Sequence, residues 1–217
     1  RPPRWKILRR YVEVMGRTYR ALARAADARV VVEASRWAPS PTALGLVPGV
    51  ESYLLHLVRD PRAVIYSWNK REKRWVDRPG SPNIRYGALY SVTSWWARNF
   101  VAEMAASRRG RDRYVRYRYE DFIRDPGASL KAICSWLREP APDLSFIAHG
   151  KAHMRPTHTV GGNPDRLRSG PIDIRPDDEW LTRMPLRDRI VGTALSIPLL
   201  QFYGYPLIPR QPAPARE

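Results

Sequence analysis

The sequence predicts an α/β protein built on a mainly parallel sheet, and three observations carry that prediction. Residues 53–58, Tyr-Leu-Leu-His-Leu-Val, form a nearly continuous apolar run of strand length, the pattern of a strand covered on both faces. That run leads within two residues into Asp60-Pro61, a helix N-cap followed by proline at the first helical position, where a missing N–H costs nothing. The same Asp-Pro opening recurs at Asp125-Pro126, shortly after the alternating run at 114–119, so strands and helices follow one another along the chain.

Taken in order, residues 5–26 place Ile7, Leu8, Tyr11, Val12, Met15, Tyr19, Leu22 and Ala26 at spacings of three and four. The expectation is an amphipathic helix that packs through this stripe and turns arginines outward. Val30-Val31-Val32 reads as a short β-branched strand ending at Glu33-Ala34-Ser35-Arg36, and the Pro39-Ser40-Pro41 loop follows. A short helix at 44–47 then leads to the 53–58 strand. A βαβ unit of this kind runs its strands parallel and brings Glu33, Ser35, Arg36 and Arg59 to one rim.

The helix after Asp60 gives way at 70–86 to a polar, basic stretch with Pro79-Gly80-Ser81-Pro82, expected to be a mobile surface loop. Residues 86–107 return to helical periodicity, with Trp95, Trp96 and Phe100 expected in the core or lining a substrate pocket. Residues 114–119 alternate as a strand, and a helix opens at Asp125-Pro126 and carries Leu130, Ile133, Trp136 and Leu137. A long Gly- and Pro-containing connection spans 149–174, with His153, His158, Asn163, Arg166 and Arg168. Residues 177–203 are helical, and a Pro-rich tail at 206–217 is expected to be poorly ordered. The domain is therefore placed at 1–205.

A chain of 217 residues suits one ordinary domain. Its most apolar late stretch, 190–202, contains Pro198 and is shorter than the roughly 20 residues of a membrane span. Cys134 is the only cysteine, which excludes an internal disulfide or a multi-cysteine metal site and fits a reducing, cytoplasmic setting. The formal charge of +17 points to an anionic partner. The basic residues are mostly arginines scattered along the whole chain, not a dense block interleaved with aromatics, which weakens the nucleic-acid reading; a genomic bias toward Arg, Ala and Pro is the alternative source, and charge alone supports an anionic ligand without naming one.

The junction at Arg59 gives that anion a place. In an open α/β sheet the carboxyl ends of the strands form the ligand rim, and the next helix offers free N–H groups and a positive dipole end. Ser67 lies eight residues on, about two turns into the helix, as a hydroxyl to share a phosphate with the guanidinium.

These residues resemble the sulfotransferases that use 3′-phosphoadenosine 5′-phosphosulfate (PAPS), over about residues 30–205. Arg59 and Ser67, within Leu57-Val58-Arg59-Asp60-Pro61-Arg62-Ala63-Val64-Ile65-Tyr66-Ser67, are similar to that family's 3′-phosphate motif. Tyr119-Glu120-Asp121-Phe122 resembles its segment whose tyrosine contacts the adenosine portion. Gly161-Gly162-Asn163-Pro164-Asp165-Arg166, followed by Arg168 and Gly170, is similar to the late loop that closes over the 3′-phosphate. The resemblance implies a three-layer α/β/α, P-loop-like fold and sulfuryl transfer from PAPS to a hydroxyl or amine of a small molecule or glycan, with Arg59, Ser67, Tyr119, Asn163, Arg166 and Arg168 on the co-substrate and no metal. It also implies that Glu33 takes the acceptor's proton while Arg36 stands where relatives carry a lysine, although an arginine cannot give up a proton. A solvated ion pair is the plain alternative for those two, and His158 is another base by chemistry alone.

One departure stands out. The family holds the 5′-phosphosulfate in a Gly- and Ser-rich, P-loop-like turn, and nothing before Arg29 resembles it. The expectation is an N-terminally incomplete domain that lacks the P-loop unit. A non-catalytic nucleotide-binding remnant and a basic nucleic-acid-binding protein are the competing readings.

Overall fold

The computed structural model describes residues 3–34, 39–70, 86–108, 110–155 and 168–209. Helix α1 (Arg4–Ala25) and helix α2 (Pro39–Leu44) precede strand β1 (Leu54–Val58), which passes at once into α3 (Pro61–Asn69). A long helix α4 (Gly87–Ser107) and a single 3₁₀ turn (Arg111–Arg113) lead to β2 (Tyr114–Arg118), followed by α5 (Tyr119–Arg124) and α6 (Pro126–Trp136). Three short strands, β3 (Ile147–Ala148), β4 (Lys151–Met154) and β5 (Gly170–Asp173), come before α7 (Glu179–Arg183) and α8 (Leu186–Phe202). The chain divides into two compact units, Arg1–His56 with Ala97–Arg116 and Leu57–Trp96 with Tyr117–Glu217.

Local chemistry explains the best-anticipated elements. Asp60 accepts from the Arg62 N–H at 2.9 Å with Pro61 at the first position of α3, and Asp125 accepts from the Ala128 N–H at 2.8 Å with Pro126 at the first position of α6. Strands β1 and β2 are neighbours in a parallel sheet, as expected. The second sheet departs from the mainly parallel expectation, because β3–β4–β5 is antiparallel with Ala148 opposite Lys151 and Lys151 opposite Asp173. Its first turn is the two-residue pair His149-Gly150, both at positive φ, the backbone twist that joins two strands tightly. Residues 149–174, read as one irregular connection, thus contain two strands.

Other expectations are corrected. Residues 30–34 form no strand, and Val32 is 84% exposed: β-branching favours an extended backbone but supplies no pairing partner. The rim argument that joined Glu33 to Arg59 through a βαβ unit loses its first strand. Strand β1 is covered on one face only, with Leu54, His56 and Val58 buried while Leu55 and Leu57 are 42% and 49% exposed. Along α1 only Gly16 is buried, so its apolar stripe is largely uncovered. Trp95 is in the core as expected, but Phe100 is half exposed. The 70–86 loop lies, apart from Lys70 and Tyr86, outside the described residues.

In the first unit, Leu54 packs with Ala105, Ala106 and Tyr114. In the second, Ala63, Ile65, Val92, Trp180, Leu181 and Met184 form one cluster, and Val58, Trp95, Leu200, Tyr203 and Tyr205 another. Helices α3 and α8 meet at Gly192, where a Cβ would fall 2.6 Å from the Ile65 Cδ1. Glycine is what lets the two backbones approach.

Candidate functional site

The site grows from the ends of β1 and β2. Parallel neighbours finish on the same side, so the residues just past their carboxyl ends, Arg59 and Tyr119, fall together. The Arg59 guanidinium lies 4.7 Å from the centre of the Tyr119 ring, a cation–π contact. Burial raises the Tyr119 hydroxyl above its ordinary pKa, and the positive charge of Arg59 works against that rise.

A buried polar frame holds this junction. Trp95 Nε1 donates to the Arg59 carbonyl at 3.0 Å. Glu120 accepts from the Asp60 N–H at 3.1 Å and from the Tyr205 hydroxyl at 2.7 Å, while that hydroxyl also lies 3.1 Å from the Val58 carbonyl oxygen. Burial first, then Glu120, pushes the Tyr205 hydroxyl far up, so it is a fixed donor. Beneath the helix start, the fully buried Arg62 pairs with Asp60 through Nε at 2.9 Å and Nη2 at 2.7 Å. It also donates to the Leu207 and Pro206 carbonyls at 2.7 and 2.8 Å and lies over the Trp180 ring. None of these bonds uses the Arg59 side chain.

What it meets is Asp177, in the segment between β5 and α7, with Nη2 2.8 Å from Oδ2 and 3.4 Å from the Asp177 carbonyl oxygen. The same carboxylate has Lys70 Nζ 3.9 Å from Oδ1, and Lys70 also pairs with Glu179 and lies 5.1 Å from the Tyr66 ring centre. Glu179 accepts in addition from Arg183 at 2.8 Å. The hydrogen bond from Lys70 holds the Glu179 carboxyl below the usual carboxylate range, and burial, then Glu179, raises the Tyr66 hydroxyl. The Arg59 Nε is buried and has no hydrogen-bond acceptor among the described residues, so Asp177 does not satisfy the guanidinium completely.

Of the residues singled out in the sequence, Arg59 and Tyr119 meet. Ser67 is partly buried in the last turn of α3, and no hydrogen bond joins it to Arg59. Arg168 is exposed just before β5. Asn163, Arg166, His158, Ser35 and Arg36 lie outside the described residues. Glu33 belongs to the first unit, half-buried, where it accepts a hydrogen bond from the Tyr19 hydroxyl; burial, then Glu33, raises that hydroxyl's pKa. Sequence reasoning missed Asp177, Lys70, Glu120 and Arg62. Arg62 and Glu120 lie inside the recognised motif segments, where no role was assigned to them. Among the described residues no group of three His, Cys, Asp or Glu side chains gathers for a metal, and no helix is long and apolar enough to cross a membrane.

The fold and site define an α/β protein with a partly buried arginine just past the end of a parallel strand. Residues 51–143, which include Arg59, Ser67 and Tyr119, match the model of a family described as the sulfotransferase family. Two solved structures share the fold. One is the sulfotransferase domain from the curacin biosynthetic pathway, with 20% identity, a TM-score of 0.58, and 89% of this chain and 69% of that one covered. The other is the sulfotransferase domain from the Synechococcus PCC 7002 olefin synthase, with 22% identity, a TM-score of 0.63, and coverages of 89% and 65%. No curated protein matches the chain. The chain is thus similar to the sulfotransferase family over residues 51–143 and shares the fold of the two sulfotransferase domains.

Proposed function

We propose that the protein is a PAPS-dependent sulfotransferase, moving a sulfuryl group to a hydroxyl or amine of a small molecule or glycan. The observation that carries this reading is Arg59, stacked on Tyr119 at the β1–α3 junction inside the segment that matches the family model. The residues fit the group: the 3′-phosphate distinguishes PAPS from ordinary adenine nucleotides, and Arg59 offers a planar fork with a spare buried N–H. Tyr119 would position the adenosine. Ser67, Asn163, Arg166 and Arg168 are proposed to complete the phosphate's partners. The sheet would form the centre of a three-layer domain, and the single cysteine suits a cytoplasmic setting.

In the transfer, the acceptor's oxygen or nitrogen forms a bond to sulfur while sulfur's bond to the bridging phosphate oxygen breaks. The acceptor gives up its proton, and 3′-phosphoadenosine 5′-phosphate leaves. Positioning and charge stabilisation carry such in-line displacements. Glu33 is proposed as the base and Arg36 as the cation on the bridging oxygen. Transfer of labelled sulfate from PAPS to an acceptor panel, beside calorimetry with 3′-phosphoadenosine 5′-phosphate and AMP, tests the proposal. Preference for the bisphosphate together with transfer is expected; equal affinity for AMP, or no heat at all, sinks it. Bisphosphate binding with no transfer would instead favour the non-catalytic nucleotide-binding reading. Arg59→Ala should lower bisphosphate affinity by about a hundredfold or more, as loss of one partner from a desolvated charge pair does. Glu33→Gln should keep that affinity and lose transfer.

A further inference from the structure

Resting on that reading, we infer that Lys70 is a second cation for the nucleotide's 3′-phosphate and that Asp177 occupies the same place as an internal anion, which the phosphate displaces. The two oxygens of one carboxylate face two cations from the two ends of α3. Arg59, next to the Asp60 cap at the start of the helix, meets Oδ2 at 2.8 Å, and Lys70, immediately after its end, has Nζ 3.9 Å from Oδ1. A bridging carboxylate is the arrangement that a phosphate takes between two basic side chains.

The contest favours the phosphate. It brings three acceptor oxygens and close to two negative charges, against two oxygens and one charge for Asp177. The third oxygen has a use, since the Arg59 Nε lacks an acceptor among the described residues. Asp177 is free to leave, because its side chain is 33% exposed and it lies between β5 and α7 rather than inside either. Lys70 would keep its pairing with Glu179, whose second oxygen is held by Arg183, so displacement of Asp177 leaves the lysine aimed at the vacated position. Asp177 thereby sets a threshold: a ligand with one weakly placed negative charge gains little by replacing it, and a phosphate dianion gains more.

The experiment is calorimetric titration of 3′-phosphoadenosine 5′-phosphate and of AMP into the wild-type chain, Asp177→Asn, Asp177→Ser and Lys70→Met, with thermal melts to confirm folding. Removing the internal competitor should tighten bisphosphate binding by about tenfold and AMP binding by less than about twofold, a coupling of ordinary size. Lys70→Met should weaken bisphosphate binding by about tenfold and leave AMP nearly unchanged. If the wild type binds the bisphosphate but neither Asp177 variant tightens it, or Lys70→Met binds it as the wild type does, this inference is overturned while the proposed function stands. If the bisphosphate binds neither the wild type nor the Asp177 variants, the proposed function falls and takes this inference with it.

Discussion

Arg62 has no exposed surface, yet it carries a full charge among apolar neighbours, and it is tolerated because Asp60, two backbone carbonyls and the Trp180 face surround it. Removing it strands the Asp60 carboxylate. Arg62→Met should therefore cost about 3–5 kcal/mol, read from urea unfolding, whereas a surface arginine such as Arg9 replaced in the same way should change stability by less than about 1 kcal/mol. His56 is a second buried polar residue, with ring nitrogens 3.1 Å from the Tyr114 hydroxyl and 2.9 Å from Asn99 Oδ1, and with Glu103 3.4 Å away. Burial lowers its pKa below the ordinary 6.5, outweighing the help that Asn99 and Glu103 give the charged form. The folded state then binds the proton less readily than the unfolded state. Its stability is fully present above pH 6.5 and declines as pH falls from there toward the folded value. Melting temperatures at pH 7.5 and 5.5 should fall further for the wild type than for His56→Gln, and an equal fall in both would dismiss this role.

At the scale of elements, the two Asp-Pro starts differ in what depends on them. Asp125 caps α6 at an exposed position, so Asp125→Ala should cost about 1 kcal/mol, the ordinary value of a lost cap. Asp60 combines a cap with the Arg62 pair, so the same exchange there should cost several times more. The α3–α8 crossing is equally specific. A methyl at Gly192 would meet Ile65, a fully buried side chain, at 2.6 Å. Gly192→Ala should therefore destabilise by about 1–3 kcal/mol despite its gain in helix propensity, as overpacked cores do. Thermal unfolding measures the sign directly.

Across the whole molecule, the +17 charge attracts any polyanion, and that attraction needs no site. Arg59 is different: its side chain is only 22% exposed, and the interaction proposed for it is local. Binding to duplex DNA, if seen at 50 mM salt, should vanish by 300 mM, whereas bisphosphate binding should weaken far less. Filter binding and calorimetry at both salt concentrations separate the two. Equal loss would mean that net charge rather than the Arg59 site holds the nucleotide.

The sequence by itself determined what neighbours along the chain decide: the helix starts at Asp60-Pro61 and Asp125-Pro126, the strands of β1 and β2, and the arginine waiting between strand and helix. Caps, proline positions and short apolar runs act over a few residues, so their outcome is written locally. Tertiary structure decided which face of β1 is covered, that Val30-Val31-Val32 finds no partner strand, and that residues 149–174 contain antiparallel pairing. A strand's partner and cover come from elsewhere in the chain, and an apolar pattern does not name them. The same holds for the site: Arg59 was legible, but Asp177, 118 residues later, is brought to it only by the fold.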